Sequence, residues 1–345
     1  MSNDTIRVGL IGAGANTKLQ HIPGFQAIDG VEIVSVANRS RESGQRIADE
    51  YGIPTVYDNW TDLIEAPDTD AICIGTWPYM HRSMVLAALD NDKHVLTEAR
   101  MAMNASEAHE MLDASREKSG LVTQIVPGPG TLWVDTTIKD LIAAGYLGDI
   151  LSVDLVSQDG FIDRDSSLHW RNNRDLSGFN TMQMGIWYES IVRWIGPATS
   201  VRAITRVNVR SRNDEGGSRH QIAVPDLVEV ICEMASGPVM HMRISAISGL
   251  APADAVWMFG TEGTLHLDAG DNGLYGGRKG DGELSEMLIS AEKRGGWRVE
   301  EEFISAIRGL EPVTHTNFED GVRYMEFTEA VVRSSQSGET VYLPL

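Results

Sequence analysis

Two short segments carry residue types whose spacing could hold a phosphorylated ligand. The first, Gly12-Ala13-Gly14-Ala15-Asn16, directly follows the apolar run Ile6 to Ile11 and precedes a stretch with helical periodicity. That context gives a glycine loop meaning: a buried strand ends, the chain turns tightly, and a helix begins. Gly12 permits the turn, and Gly14 lets the backbone approach a pyrophosphate. The helix then offers its first-turn amides and the positive end of its dipole to the anion. Ala15 and Asn16 complete the loop, and Thr17 stands where a third glycine would, which is tolerable if strand and helix pack slightly apart. The expected ligand is a dinucleotide.

The second segment, Asn38-Arg39-Ser40-Arg41, ends the next strand, where the choice between NAD and NADP is made. An acidic residue there would accept hydrogen bonds from the adenosine ribose and repel a 2′-phosphate. Asn38 and Ser40 can instead hydrogen-bond a phosphate, and Arg39 can pair with it or stack on adenine. The competing possibility is a polar turn with surface arginines. NADP is the favoured cofactor, with NAD the alternative.

The elements that must position these residues follow a regular alternation. Strands are expected over Ile6–Ile11, Glu32–Ala37, Ala71–Gly75, His94–Thr97 and Leu121–Ile125. Helices are expected over Gln20–Ile28, Glu42–Tyr51, His81–Asn91 and Ser106–Ser119, the last with a capped start at Ser106. Strand and helix alternating at this spacing predict an α/β Rossmann fold, a doubly wound parallel sheet over residues 1–123. Beyond it the texture changes. Pro127-Gly128-Pro129-Gly130 breaks the chain, and a helix from Val134 to Ala144 ends at Gly145. Long alternating runs follow: Ile150–Gln158, Thr199–Val209, Leu227–Ala235, Val239–Ile247, Val256–Phe259 and Thr264–Asp268. Alternation without intervening helices predicts a C-terminal α/β domain, residues 124–345, with a large, mostly antiparallel sheet buried on one face. The Gly270–Gly282 segment reads as a mobile loop, and Phe318–Ser335 as a closing helix.

Composition narrows the partners. There are 29 basic against 49 acidic side chains, a formal charge of −20. A nucleic-acid track needs clustered Lys and Arg, so nucleic acid is excluded as a main ligand. No run reaches the ~18 apolar residues of a membrane span. The opening Met1-Ser2-Asn3-Asp4 lacks the basic flank of a signal peptide, and the two cysteines, Cys73 and Cys232, sit in apolar runs. These features predict a cytoplasmic protein without a disulfide framework. The nine histidines are scattered and no pair stands at metal spacing, so no metal is expected.

Further motifs accompany the glycine loop. Thr76-Trp77-Pro78-Tyr79-Met80-His81 follows one strand, and His94-Val95-Leu96-Thr97-Glu98 follows a helix. Trp170-Arg171 precedes Ser177-Gly178, and Phe318-Glu319-Asp320-Gly321 comes before Ser334, Gly338 and a last strand. In this order they resemble the Gfo/Idh/MocA oxidoreductases, the glucose-fructose oxidoreductase and inositol dehydrogenase family, over almost the whole chain. The resemblance implies a Rossmann domain joined to a domain with an open sheet, and a substrate cleft between them. It also implies sugar or polyol substrates and homo-oligomers, dimers or tetramers. By the same resemblance Gly12, Gly14, Arg39, Thr76, Trp77, Pro78, His81 and Glu98 line the cofactor, with Glu98 near the nicotinamide ribose.

The proton-handling positions depart from the family's pattern. Its Glu-Lys-Pro appears as Glu98-Ala99-Arg100, and its Asp and His four residues apart align with Gln183 and Trp187. Alcohol oxidation needs a base, and ketone reduction an acid. Tyr188, beside a substituted position, could supply the acid, unless it is a core tyrosine. His169, just before Trp170-Arg171, titrates near neutrality, unless it merely caps a turn. Arg100 could polarise a carbonyl or hold a carboxylate, unless it forms a surface salt bridge. Gln183 and Trp187 could contact a sugar ring, although core packing competes for Trp187. Arg171, with Arg174 and Asp163 in the same segment, is a further substrate-side candidate. Three functions remain open: an NAD(P)-dependent oxidoreductase with a rearranged acid/base set, a redox-neutral enzyme working through transient oxidation (a glycosidase, lyase or epimerase), and a non-catalytic dinucleotide-binding regulator.

Overall fold

A computed structural model describes residues 5–181 and 183–345. Met182 and the opening Met1-Ser2-Asn3-Asp4, with its expected lack of a leader, lie outside the described residues. The chain forms two compact units. The first runs up to Pro127 and regains Arg298–Val322; the second comprises Gly128–Trp297 and Arg323–Leu345. The single boundary expected at 123/124 thus shifts by a few residues, and a C-terminal segment returns to the first unit.

The first unit is built on a six-stranded sheet. Its strands are β1 (Ile6–Ile11), β2 (Val31–Ala37), β3 (Thr55–Tyr57), β4 (Ala71–Ile74), β5 (His94–Thr97) and β6 (Thr123–Ile125), all parallel, in the order β3-β2-β1-β4-β5-β6. Helices cover both faces, which is why β4 is buried at every position and reads as an unbroken apolar run. The strand order reverses between β1 and β4, and ligands of such sheets bind outside the carboxyl ends at that crevice. The helices are α1 (Ile22–Gln26), α2 (Arg41–Tyr51), α3 (Trp60–Glu65), α4 (Pro78–Asp90) and α5 (Ala105–Glu117). β3 and α3 were not expected; β3 is three half-buried residues, too short to show a period.

Several helix starts differ from expectation, α4 opening at Pro78 rather than His81. α5 is capped at Asn104, not Ser106: Asn104 Oδ1 accepts from Glu107 N at 2.9 Å, and Glu107 Oε2 accepts from Met103 N at 3.0 Å. This reciprocal arrangement satisfies donors that the first turn leaves open. Before α1, residues Thr17–His21 form a π-helical turn that buries both Thr17 and His21. The returning helix, Val299–Ile307, packs on α1 through Phe303 and Phe25, whose rings meet edge to face at 6.4 Å. Thr316 then exchanges two backbone hydrogen bonds with Ile125 at the end of β6.

The second unit holds α6 (Asp135–Ala143), β7 (Ile150–Gln158), α7 (Arg174–Ser177), α8 (Met184–Ile195), β8 (Ala198–Arg206), and the small pair β9 (Ser211–Asn213) and β10 (Arg219–Gln221). There follow β11 (Leu227–Met234), β12 (Val239–Ser245), β13 (Ala255–Gly260), β14 (Gly263–Asp268), β15 (Gly273–Arg278), β16 (Ser285–Glu286) and β17 (Val341–Tyr342). Nine strands form one sheet in the order β16-β15-β14-β13-β7-β12-β11-β8-β17, in which only β7 and β12 pair in parallel. Alternating burial along β11 and β12 shows one covered face. On that face the closing helix Phe318–Ser337 reaches β8, where Ser334 Oγ accepts from Ala203 N at 3.0 Å.

The expected loop over Gly270–Gly282 is in part a strand. β15 pairs in register with β14, and a Cβ at Gly276 would lie 2.5 Å from Met287 Sδ and 2.8 Å from Tyr146 Oη. Glycine here makes room for neighbouring side chains rather than marking a turn.

Candidate cofactor site and the substrate-side residues

At the carboxyl ends of β1, β2 and β4, the first unit opens a cleft of about 520 Å³ lined by Gly12, Ala13, Gly14, Asn38, Arg39 and Thr76, among others. The glycines are there for distinct reasons. Gly12 sits at φ +80°, and a Cβ would come within 2.7 Å of Thr76 Cγ2. A Cβ on Gly14 would meet nothing nearer than Gly75 O at 3.9 Å, so the space beside it is open to a ligand. The missing third glycine is compensated from across the crevice. Thr17 Oγ1 would stand 2.2 Å from a Cβ at Gly75, so Gly75 yields the room that Thr17 takes. A turn, an open approach and a helix start beside a cleft of this size fit the pyrophosphate of a dinucleotide.

The segment after β2 divides its labour. Asn38 Oδ1 accepts from Ala13 N at 2.7 Å, so this side chain pins the phosphate loop. Ser40 caps α2, accepting from Ser43 N at 3.3 Å, and is committed to the helix. Arg39 is exposed on the cleft wall and free to meet a ligand. Ser43, Asp58 and Trp60 also line the cleft and were not singled out from sequence. Ser43 is the third residue of α2, whereas Asp58 and Trp60 follow the short β3. Asp58 pairs with Arg41 at 2.7 Å, which offsets its charge at that end.

Across the crevice, Thr76, Trp77 and Pro78 lead into α4, with Thr76 and Trp77 on the cleft wall and Pro78 buried at the first helical position. His81 is buried and does not face the cleft. Its Nδ1 lies 3.0 Å from Arg100 O and its Nε2 3.0 Å from Thr76 O, so it joins the loops after β4 and β5. Burial lowers its pKa, although the two carbonyl contacts work to raise it. Its expected place against the cofactor is therefore corrected to a support behind those loops.

Glu98, immediately after β5, is held from several sides. Its Oε1 accepts from Asn16 Nδ2 and lies 3.0 Å from His21 Nε2; its Oε2 accepts from Ala99 N at 3.2 Å. Burial pushes its pKa up, but the contacts with His21, Asn16 and Ala99 outweigh that and hold it below the ordinary value. His21 Nδ1 in turn bonds Glu300 Oε1, a residue of the returning helix. Neither His21 nor Glu300 was singled out from sequence, because 279 positions separate them.

The substrate-side candidates scatter. Arg100 belongs to the first unit, is buried, and gives its carbonyl to His81. In the second unit Tyr188 is fully enclosed, its ring stacked on Phe327 at 3.6 Å, and its Oη accepts from Ala198 N at 2.8 Å. Burial pushes its pKa well up. The expectation of an acid at Tyr188 is corrected: it is a core residue whose phenol satisfies a buried amide. Trp187 is also buried, and its Nε1 donates to Asp254 Oδ2 at 3.3 Å. Asp254 further accepts from Ser157 Oγ at 2.6 Å and Gln158 N at 2.8 Å. Trp187 thus packs on the sheet, as its competing reading had it.

Gln183 and His169 are exposed. His169 Nδ1 accepts from Arg171 N at 3.3 Å, capping the turn Trp170–Asn172, and partial burial with the Arg171 charge lowers its pKa. Arg171 lies over the Trp170 ring at 4.3 Å. Arg174 lies 5.1 Å from the Phe179 ring centre, and its buried Nε has no hydrogen-bond partner among the described residues.

A family model described as the oxidoreductase family with an NAD-binding Rossmann fold matches residues 6–125, and that family's C-terminal domain matches residues 136–266. Among curated relatives, trans-1,2-dihydrobenzene-1,2-diol dehydrogenase of Bos taurus is 25% identical, covering 76% of this chain and 72% of its own length. A 1,5-anhydro-D-fructose reductase of Ensifer adhaerens is 35% identical over 41% of this chain and 42% of its own. Among solved structures, levoglucosan dehydrogenase in complex with NADH and L-sorbose superposes with a TM-score of 0.87 at 20% identity, covering 99% of each chain.

Proposed function

The chain belongs to the Gfo/Idh/MocA oxidoreductase family, and on that premise we propose that it transfers hydride between NADP and a sugar-like or cyclic polyol substrate. The observation that carries this is the glycine loop opening into a cleft at the strand-order reversal, with Glu98 hydrogen-bonded to Asn16 of that loop and held as an anion. The named substrates of the relatives, an anhydrofructose, levoglucosan and a cyclic dihydrodiol, support the substrate class.

NADP preference rests on Arg39. It is the exposed cation on the cleft wall at the end of β2, Asp58 is offset by Arg41, and Ser43 adds a hydroxyl. The bound cofactor supplies the hydride chemistry. Gly12, Ala15, Asn16, Thr76, Trp77 and Pro78 shape and hold its site, while Asn38, Ser40 and His81 keep the surrounding loops in place. Proton handling falls to His169, since Tyr188 is committed to the core. His169, with its pKa lowered, is a neutral imidazole near pH 7 and can accept a hydroxyl proton. Arg100 can polarise a carbonyl. Arg171 and Gln183 are the remaining contacts proposed for substrate.

We place the protein in the cytoplasm on the strength of two buried, unpaired cysteines. No helix among the described residues is long and apolar enough to cross a membrane. The outward face of the nine-stranded sheet exposes Ile204 and Ile231, which supports a homo-oligomer joined there. The test is spectroscopic. With a panel of sugars and polyols, reduced cofactor accumulates in step with substrate consumed. Substrate consumed without net reduction favours a redox-neutral reaction, and no turnover with any sugar derivative favours a regulator.

A further inference from the structure

An imidazole is enclosed between two carboxylates directly behind the phosphate loop. His21 is 0% exposed, with Nε2 3.0 Å from Glu98 Oε1 and Nδ1 hydrogen-bonded to Glu300 Oε1. Carboxylates only accept, so an imidazole bonded to one at each nitrogen donates from both and carries a positive charge. The π-helical turn Thr17–His21 is what swings the ring inward. Gly24 admits the partner: a Cβ there would lie 2.7 Å from Glu300 Oε2.

The arrangement acts on Glu98 in a particular way. Its Oε1 is taken up by Asn16 and His21, while among the described residues its Oε2 accepts only from Ala99 N at 3.2 Å. Each carboxylate oxygen has two acceptor positions, so Oε2 keeps one for a ligand hydroxyl. Glu98 also keeps 15% of its side chain exposed, against 4% for Glu300. Strand order puts this oxygen at a definite place. β2 with Arg39 lies on one side of β1, and β4 and β5, leading to Thr76 and Glu98, lie on the other. A dinucleotide with its adenosine over β2 brings its nicotinamide ribose over β4 and β5.

We infer that His21 and Glu300 are positioning residues for Glu98: Glu300 anchors His21, and the imidazolium keeps Glu98 an anion with Oε2 turned to a ribose hydroxyl of the nicotinamide half. This rests on the dinucleotide binding proposed above. Without the imidazolium, a carboxyl as buried as Glu98 takes up a proton near neutral pH and turns from acceptor to donor. The other ionisable groups around the cluster do not replace it. The Cys73 thiol is held neutral by burial and by Glu98 and Glu300, and His81 is committed to the carbonyls of Thr76 and Arg100, with its pKa lowered by burial. On the returning helix Glu301 is paired with Arg298, and Glu302 with Thr314 and His315. Arg100, two residues along from Glu98, belongs to the same turn.

Two measurements on the full chain test this. The first is the dissociation constant of NADP and of NAD from pH 5 to 8.5, each expressed relative to the unaltered protein at the same pH. His21→Gln, which can still donate to Glu98 but carries no charge, is expected to lose about tenfold in affinity as pH falls through neutrality. Glu98→Gln is expected to be weaker at every pH with no such dependence. A His21→Gln profile parallel to the unaltered protein overturns the inference. The second is the ring titration of His21 by NMR without cofactor. It is expected near pH 9 in the unaltered protein and lower by more than about one unit in Glu300→Gln and in Gly24→Ala. An unmoved midpoint overturns the role of Glu300. Failure to bind any dinucleotide contradicts the proposed function, and the ring titration then decides the His21–Glu300 coupling by itself.

Discussion

The two units respond differently to the same way of reasoning. In the first, Gly12, Gly14, Arg39, Thr76 and Trp77, chosen for chemistry, line one cleft, and others chosen with them are supports: Asn38 pins the loop, Ser40 caps a helix, His81 ties two turns. In the second, residues chosen for chemistry disperse, and two of the five, Tyr188 and Trp187, are packed into the core. The difference lies in what binds the ligand. A phosphate loop works through backbone geometry, which glycine and strand ends determine locally. Acid/base catalysis works through side-chain placement, which depends on contacts far along the chain.

That contrast is most exposed at Tyr188. Tyr188→Ala is expected to cost about 3–5 kcal/mol of stability, as for other large core truncations, measured by denaturant unfolding. Tyr188→Phe, which keeps the stack on Phe327 but leaves Ala198 N without its acceptor, costs about 1–3 kcal/mol and leaves turnover intact. A folded Tyr188→Phe without turnover breaks the contrast. In the first unit, Gly12→Ala is expected to weaken dinucleotide binding by about thirtyfold, or 2 kcal/mol, because φ +80° and Thr76 both resist a Cβ. Arg39→Ala is expected to weaken NADP about tenfold and leave NAD nearly unchanged.

The mildest prediction concerns pH. The folded-state pKa of His21 is raised to about 9, above its unfolded value near 6.5. Its contribution is therefore complete below about pH 6.5 and is lost as pH rises through about 9. The melting temperature is expected to fall by a few degrees from pH 7 to 9.5, and His21→Gln is expected to flatten that fall. Arg41→Ala, which breaks an exposed pair with Asp58, is expected to change stability by less than about 1 kcal/mol.

Much of the fold was legible because it rests on local periodicity. Ile6–Ile11, His94–Thr97 and Ile150–Gln158 are strands with the expected ends. β15 was not legible, since its glycines answer to Met287 and Tyr146 rather than to a turn. The return of Arg298–Val322 to the first unit was not legible either, as it depends on pairings such as Thr316 with Ile125. Glu300 was hidden for the same reason. At the site, Gly12, Gly14 and Arg39 were singled out through their position after strands, and Glu98 through the family resemblance. Gly75 did not, although it answers the irregularity at Thr17; a residue that works by having no side chain gives no chemical signal.

Calorimetric titration of the unaltered protein with NADP and with NAD tests the central claim most directly. The account predicts one site per chain, with NADP bound at least about tenfold more tightly. Equal affinities would contradict the role given to Arg39, and binding of neither would contradict the dinucleotide site itself.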